Sequence, residues 1–278
     1  MSSNFSKKII FGLSITVLFL LISNIVTLQK LNKVSRTNAT KIKDEEIIKS
    51  NEIAKKPNTG IIVLVIDDFG YRNDEVSDGF LTLNVPITCA IIPGHSQSSK
   101  FAKKAIAAGQ EVIIHMPMES TLKTPGEEDY KLRTGMTSEE IEWCMKEVLK
   151  ELPEAVGMNN HQGSKATTDG KVMSVVASVL KQNNKYFLDS RTASNTVGEK
   201  TMRQLGVPTA RRHVFLDNDN EIEKITAQLN TLVSLAKKSE FAIGIGHAKP
   251  NTLKVLSEKI PFLINEGLQF QFASQVVK

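Results

Sequence analysis

The chain has 278 residues, 41% of them hydrophobic, which is enough for one large domain or two small ones with a substantial core. Its net charge is +5, but residues 1–58 hold ten Lys and Arg against four Asp and Glu, so that segment carries +6 and the remainder −1. A basic tail gives no argument for a nucleic-acid-binding face, and we expect no nucleic-acid partner. Two cysteines, Cys89 and Cys144, exclude a disulfide-rich scaffold or a cysteine zinc finger and leave open whether they pair.

An uncharged apolar run occupies residues 9–28, directly after Lys7 and Lys8. About 20 such residues suffice to span a bilayer as a helix. No small-residue cleavage site follows, so the run predicts an uncleaved membrane anchor in preference to a removed signal peptide; a buried core helix is the alternative. The basic residues after the run oppose the positive-inside rule by a simple count. The predicted organisation is a short tail, an anchor, a flexible polar linker and a folded domain, over residues 1–8, 9–28, 29–58 and 59–278.

Apolar runs of strand length alternate with helical stretches through the folded domain. The predicted strands are 61–66, 87–92, 111–115, 155–158, 186–189, 213–217, 241–246 and 268–272. The predicted helices are 97–108, 137–151, 169–183, 196–205, 221–238 and 251–265. Such alternation is typical of parallel strands covered by helices. It predicts an α/β fold with an irregular parallel barrel of seven or eight β/α units, closed or partly open, with a doubly wound open sheet as the runner-up.

Polar side chains follow most of these apolar runs. Asp67 and Asp68 follow the first run, His115 ends the third, His161 comes soon after the fourth and His247 follows the seventh. The carboxyl ends of the strands of a β/α barrel meet on one face, where active sites are built. Carboxylate and imidazole together suit Zn, Fe, Mn or Co. A catalytic metal activates water, while a further carboxylate and an acid move the protons.

Each of these residues also has a structural interpretation. The aspartate pair fits a helix cap or a turn, His115 fits a hydrogen-bonded core residue, His247 fits the start of a loop and Asp217 fits a helix cap. We assign two further histidines to structural or peripheral positions: His95 and His213. The functional interpretation is favoured because several independent structural explanations would have to hold on one face.

Six segments in order resemble the divergent polysaccharide deacetylases, a branch of the metal-dependent carbohydrate deacetylase superfamily with the NodB-like fold. The segments are VIDDFGY, GQEVIIHMPME, GMNNHQGSKAT, FLDSRT, VFLDND and IGIGHAKPNTL, and the similarity runs from about residue 60 to 275. The resemblance implies an irregular parallel β/α barrel of the glycoside hydrolase/deacetylase type. It also implies anchoring in the inner (cytoplasmic) membrane, with the catalytic domain on the periplasmic or extracellular side and an envelope polysaccharide or peptidoglycan-type glycan as its partner.

The resemblance assigns roles residue by residue. Asp67 matches the catalytic base, Asp68 and His115 match metal ligands, and His247 matches the catalytic acid. The superfamily has a second histidine four residues after the first, whereas this chain has Glu119. The resemblance within the divergent branch implies that His161 supplies the missing nitrogen, with Glu119 as an alternative ligand or a second-shell group.

The Arg-x-Pro-Tyr segment of the superfamily is absent from this chain. We expect Arg191 to orient Asp67 or to hold substrate, with an ion pair to Asp189 as the alternative, and Asn160 to orient groups or bind substrate.

The predicted function is metal-dependent deacetylation of an N-acetylated amino sugar in an envelope polysaccharide. The expected cofactor is a divalent metal, foremost Zn, with Mn, Co or Fe as alternatives. The alternative function is a non-catalytic module that binds envelope glycan on the same barrel. A nucleotide-binding protein is disfavoured because no phosphate-binding glycine loop occurs.

Overall fold

A computed structural model of the chain describes residues 60–122 and 129–278. The predicted tail, anchor and linker over 1–58 therefore lie outside the described residues. Within the described residues, no helix is both long enough and apolar enough to cross a bilayer.

The described residues form parallel strands that alternate with helices for most of their length. The strands are β1 (Ile61–Phe69), β2 (Thr88–Ile91), β3 (Glu111–Met118), β4 (Gly157–Gln162), β5 (Tyr186–Asp189), β6 (Thr209–Arg211), β7 (Val214–Phe215), β8 (Ala242–His247) and β9 (Gln269–Gln271). The helices are α1 (Glu75–Leu81), α2 (Ser98–Ala107), α3 (Ser138–Glu151), α4 (Gly170–Gln182), α5 (Gly198–Leu205), α6 (Ile222–Ala236) and α7 (Pro250–Asn265). Short 3₁₀ turns occur at Ala166–Thr168 and Ala273–Gln275.

All strands belong to one parallel sheet in the order β6-β5-β4-β3-β2-β1-β8-β7, and β9 pairs with the first residues of β1. From β1 to β6, strands that are consecutive in the chain are neighbours in the sheet, and the first strand lies beside the eighth. A doubly wound sheet reverses its strand order at a switch point, so the runner-up architecture is wrong. Within the described residues no ladder joins β6 to β7, which leaves a curled, partly open barrel.

Both faces of the sheet are buried, which explains why the strands are almost continuously apolar. On β1, Ile62, Leu64 and Ile66 belong to the large core between the sheet and the helices. Val63 and Val65 point the other way and pack in a smaller cluster with residues of β3, β5 and β8. This second cluster fills the inside of the curl. The open end of the curl is therefore available for a site only at the carboxyl ends of the strands.

Local sequence explains where several of the helices begin and end. Thr137 caps α3 through a reciprocal pair of hydrogen bonds with Glu140, the capping-box arrangement. Asp169 accepts backbone N–H bonds at the start of α4. Gly206 ends α5 with φ 72°, a left-handed conformation that glycine adopts without steric cost.

Several boundaries differ from the prediction, with consequences for the site. Helix α1 was not predicted, and neither was β6, which is too short to carry a hydrophobic pattern. Strand β4 begins two residues later than predicted and continues to Gln162, while β1 and β3 continue to Phe69 and Met118. The polar residues Asp67, His115 and His161 therefore lie within strands, held by ladder hydrogen bonds, and do not follow them in loops.

Candidate active site

The strand register brings the polar residues of β1, β3, β4 and β8 together at one edge. Asp67 on β1 stands opposite His247 on β8. His115 on β3 stands opposite Asn159 on β4, and His161 lies two residues further along β4. These positions are all near the carboxyl ends of parallel strands, so the side chains converge although their positions span 180 residues of sequence.

Two consecutive aspartates reach the same site because the backbone bends between them. Side chains alternate between the two faces of a strand, and Asp67 follows Val63 and Val65 on the inner face. Asp68 would normally face outwards, but its φ is 68°. The β1–β2 register also shifts between Ile66 and Phe69, as at a β-bulge, a feature that re-aims side chains beside active sites. The carboxylate of Asp68 consequently turns towards the histidines.

Asp68, His115 and His161 form a compact group of three donor atoms. His115 Nε2 lies 3.1 Å from His161 Nδ1. Asp68 Oδ1 lies 3.4 Å from His115 Nε2 and 3.3 Å from His161 Nδ1. Metal bonds of about 2.0–2.1 Å to a tetrahedral ion imply ligand-to-ligand distances of roughly 3.3 Å. The triangle therefore matches one face of such a coordination shell.

A second observation fits a cation between these three residues. Asp68 Oδ1 is buried and makes no hydrogen bond, although it faces two imidazole nitrogens. A buried carboxylate oxygen without a partner is costly. Burial by itself would raise the pKa of Asp68, but interactions with His115 and His161 lower it well below its usual range. The carboxylate is thus held in its charged form, which metal coordination requires.

Asn159 links His115 of the donor group to Asp67. The sequence did not predict a role for it. Its side chain is fully buried; its Oδ1 lies 2.7 Å from His115 Nδ1 and its Nδ2 donates to Asp67 Oδ1 at 2.8 Å. An amide oxygen can only accept, so His115 Nδ1 carries a proton and Nε2 faces Asp68 and His161. Outer-shell partners of this kind fix the tautomer of ligating histidines.

Asp67 is almost completely buried, with 3% of its surface exposed. Burial raises its pKa above the ordinary value, and electrostatic interactions with His115 and His247 only partly oppose this. Its Oδ2 lies 3.6 Å from His115 Nε2. A carboxylate with a raised pKa beside a reaction site is suited to accept a proton.

His247 stands on the other side of Asp68 and is held by Asp217. Asp217 Oδ1 lies 2.8 Å from His247 Nδ1, and Asp217 Oδ2 accepts the backbone N–H of His247 and the hydroxyl of Thr252. Burial lowers the pKa of His247, but the hydrogen bond and charge of Asp217 outweigh it and raise the pKa overall. His247 Nε2 lies 3.9 Å from Asp68 Oδ2, and His247 lines an open cleft. Asp217 therefore does not cap α6, whose N-cap is Glu221, and its carboxylate holds His247.

Glu119 does not join the donor group, which corrects its place as an alternative ligand. Its Oε1 pairs with Lys165 Nζ at 2.7 Å, and its Oε2 accepts from the backbone and hydroxyl of Thr134. The hydrogen bonds and charge of these partners lower its pKa against the opposing effect of burial. Glu119 therefore ties two loops together.

Arg191 and Asn160 both line an open cleft of about 380 Å³ that also contains Asp67, His115, His161 and His247. Asp189 accepts the backbone N–H of Arg191, the Thr196 hydroxyl and the Glu199 N–H; among the described residues it forms no ion pair with the Arg191 guanidinium. Asn160 binds Ser190 N, Gln162 O and Thr192 Oγ1, which is an orienting role for the loops around the cleft.

The charge of Asp67 acts on the nearby guanidinium of Arg212. Burial and the nearby Arg191 charge lower the pKa of Arg212, and the charges of Asp67 and Asp189 oppose them. The Arg212 guanidinium also lies 4.8 Å from the ring centre of Phe215. Arg212 lies in the segment RRHVF, which contains no recognisable functional motif. Its place in the cleft was therefore not predicted.

The two remaining histidines lie outside the donor group. His213 Nδ1 accepts the backbone N–H of Ile243, and the His95 ring packs 4.3 Å from that of Tyr71. Cys89 and Cys144 are buried free thiols.

Two bacterial proteins match much of the chain. It is 38% identical over 201 residues to the protein YibQ of Escherichia coli (strain K12), an overlap of 72% of this chain and 62% of YibQ. It is 36% identical over 197 residues to a Haemophilus influenzae protein, an overlap of 70% of this chain and 69% of that protein. The chain thus spans less than two thirds of the length of YibQ.

Solved structures share the fold at low sequence identity. A protein of Agrobacterium tumefaciens has a TM-score of 0.72 at 16% identity, over 79% of this chain and 90% of that one. The catalytic domain of a peptidoglycan N-acetylglucosamine deacetylase from Eubacterium rectale has a TM-score of 0.52 at 14% identity, over 77% and 89%.

A protein-family model described as divergent polysaccharide deacetylase matches residues 64–277. The matched region includes every strand carboxyl end that contributes to the donor group and the cleft. On this match and on the relatives above, the chain belongs to the divergent polysaccharide deacetylase family.

Proposed function

We propose that the protein hydrolyses the acetamido group of an N-acetylated amino sugar in an envelope polysaccharide or a peptidoglycan-type glycan. One observation carries the proposal. Asp68, His115 and His161 converge within one triangle, and a buried carboxylate (Asp67) and a carboxylate-held imidazole (His247) lie on either side of it. Membership in the deacetylase family agrees with this arrangement.

Asp68 Oδ1, His115 Nε2 and His161 Nδ1 would hold a divalent cation, for which Zn is the first choice because the donor set is nitrogen-rich and its spacing suits a tetrahedral ion. When bound, such an ion would polarise the acyl carbonyl and lower the pKa of water.

The proton transfers fall to two residues of the chain. Asp67 accepts the proton of the attacking water as the new C–O bond forms at the acyl carbon. His247, whose pKa Asp217 raises against the effect of burial, gives the Nε2 proton to the sugar nitrogen as the C–N bond breaks. The products are acetate and a free amino sugar.

We also propose that the uncharged run over 9–28 anchors the protein in the inner membrane and that the folded domain lies on the periplasmic or extracellular side. The length and lack of charge of this run support the anchor. An envelope glycan as substrate requires this placement of the domain.

The experiment is an acetate-release assay on chitin oligomers and peptidoglycan fragments with the zinc-loaded protein. We expect release by the wild type and a loss of about 10²- to 10⁴-fold in Asp67→Asn, whose zinc content stays at the wild-type level because Asp67 is not one of the three donors. Absence of release on every glycan, with zinc bound, would favour the glycan-binding alternative.

A further inference from the structure

Arg191 lies on the wall of the cleft and has no counter-ion among the residues that the structure describes. Its side chain is exposed and lines the cleft. Among residues 60–122 and 129–278, its guanidinium forms neither a hydrogen bond nor an ion pair, and only its backbone N and O are bonded. By contrast Arg203, also exposed, pairs with Glu199. The fold therefore places a free guanidinium beside the proposed reaction site.

The backbone of Arg191 is held in a conformation that arginine rarely adopts. Its φ is 50°, in the left-handed region where residues other than glycine are strained. Asp68 and Gln162, with φ of 68° and 55°, are two of the three other described non-glycine residues with positive φ, and both also lie at the site. Strain of this kind persists only where the surroundings enforce it, and it concentrates at functional sites.

Hydrogen bonds on both sides enforce the Arg191 conformation. Asp189 Oδ1 accepts the Arg191 N–H at 2.8 Å. Arg212 donates from Nη2 to Arg191 O at 3.0 Å and from Nε to Ser190 O at 2.7 Å. The backbone is thus fixed before any ligand arrives, which lowers the entropic cost of binding.

Arg191 and Arg212 place two guanidinium groups on one wall of the cleft, and the carboxylates of Asp67 and Asp189 act on Arg212. Burial lowers the pKa of Arg212, and the nearby charge of Arg191 lowers it further. The Asp189 carboxylate is already bonded to backbone and hydroxyl donors. No described carboxylate forms an ion pair with the Arg191 guanidinium. The two neighbouring cations therefore attract an anion to this wall of the cleft.

We propose, resting on the deacetylase function above, that the substrate is an acidic glycan and that Arg191 binds a carboxylate on it. Guanidinium and carboxylate match in bidentate geometry. Two kinds of sugar supply this group beside an acetamido sugar: a uronic acid, and a sugar with a lactyl ether as in peptidoglycan. A neutral glycan leaves Arg191 unused.

The test measures binding and turnover separately, so that each proposal can fail alone. Full-length protein is titrated by calorimetry with three oligosaccharides of equal length: a neutral chitin oligomer, a hyaluronan oligomer with uronic acids, and a peptidoglycan glycan strand with lactyl groups. Acetate release is measured on the same three. The variants are Arg191→Gln, Arg191→Lys and, as a matched exposed arginine, Arg203→Gln.

We expect at least one acidic oligomer to bind more tightly than the neutral one, and Arg191→Gln to weaken that binding by about 10- to 100-fold, the usual effect of losing a charged hydrogen-bond partner. Arg191→Lys should lie between, and neutral binding and Arg203→Gln should change less than about twofold. Whichever acidic oligomer responds identifies the sugar.

Equal binding of acidic and neutral oligomers, or no effect of Arg191→Gln on acidic ones, would overturn the proposal. Selective acidic binding without acetate release would instead uphold it and contradict the deacetylase function.

Discussion

Asp217 Oδ1 and His247 Nδ1 lie 2.8 Å apart, and Asp217 is almost fully buried, with 1% of its surface exposed. The pair lies between β7 and the end of β8, so the barrel itself fixes the imidazole. Burial would raise the pKa of Asp217, yet the His247 interactions lower it. The same interactions raise the pKa of His247. The carboxylate therefore keeps a proton on the histidine, which the proposed acid role needs.

The first prediction concerns the pH dependence of turnover. Asp217→Asn removes the charge that raises the His247 pKa, so the imidazole loses its proton at a lower pH. We expect the alkaline limb of the kcat profile to move to lower pH, and kcat at the wild-type optimum to fall by at least about tenfold. Asp219→Asn, an exposed aspartate two residues away, is the control. An alkaline limb at the same pH in Asp217→Asn would show that His247 is not the acid.

The second prediction concerns stability. A lowered Asp217 pKa stabilises the fold above the ordinary value of 3.8 and loses this effect as pH falls through the folded-state pKa. A raised His247 pKa stabilises the fold below the ordinary value of 6.5 and loses this effect as pH rises through the folded-state pKa. The pair should thus contribute most between these two values.

Urea unfolding of metal-free wild type and Asp217→Asn from pH 3 to 9 measures this contribution. The difference in the free energy of unfolding should be largest between pH 3.8 and 6.5 and shrink on both sides, with a maximum of about 3–5 kcal/mol, the usual cost of breaking a buried pair. A difference that does not vary with pH would mean that the variant loses packing and not an ion pair.

The third prediction concerns Asn159, which fixes the His115 tautomer and also bonds Asp67. Asn159→Leu removes both contacts and leaves the three proposed ligands themselves unchanged. We expect zinc affinity, measured by competition with a chromophoric chelator, to fall by about 10- to 100-fold. Asn183→Ala, which loses only a bond to the end of α4, should keep wild-type affinity. If Asn159→Leu also keeps it, the outer-shell role is wrong.

The convergence of the site was predictable because it depends only on chain order and strand direction. Once the runs ending near Asp67, His115 and His247 are parallel strands, their carboxyl ends must share an edge. The parallel alternation itself is visible in apolar runs separated by helical stretches, and the structure confirms it.

The parts that escaped prediction depend on side-chain direction or on very short elements. The φ of 68° that turns Asp68 towards the histidines leaves no mark in the sequence, because aspartate tolerates that region without requiring it. Asn159 appeared to lie in a loop because β4 was predicted to end at residue 158. Arg212 follows β6, a three-residue strand that has no hydrophobic pattern to reveal it.

Glu119 is a departure from the family pattern, and only the three-dimensional structure shows what this residue contacts. By sequence spacing it occupies the place of a second histidine, which made it an alternative ligand. In the structure its two oxygens bind Thr134 and Lys165, and His161 from the neighbouring strand lies beside His115 and Asp68. Because Glu119 lies outside the donor group, Glu119→Gln is a control variant for the proposed metal site.

The metal content of the purified protein tests the central claim most directly. The wild type, after zinc loading and gel filtration, should carry one zinc per chain by mass spectrometry, and Glu119→Gln should carry the same. His161→Ala and Asp68→Ala should each lose most of it, because two donors remain where three are needed. One zinc per chain retained in both His161→Ala and Asp68→Ala, or none in the wild type, would contradict the account.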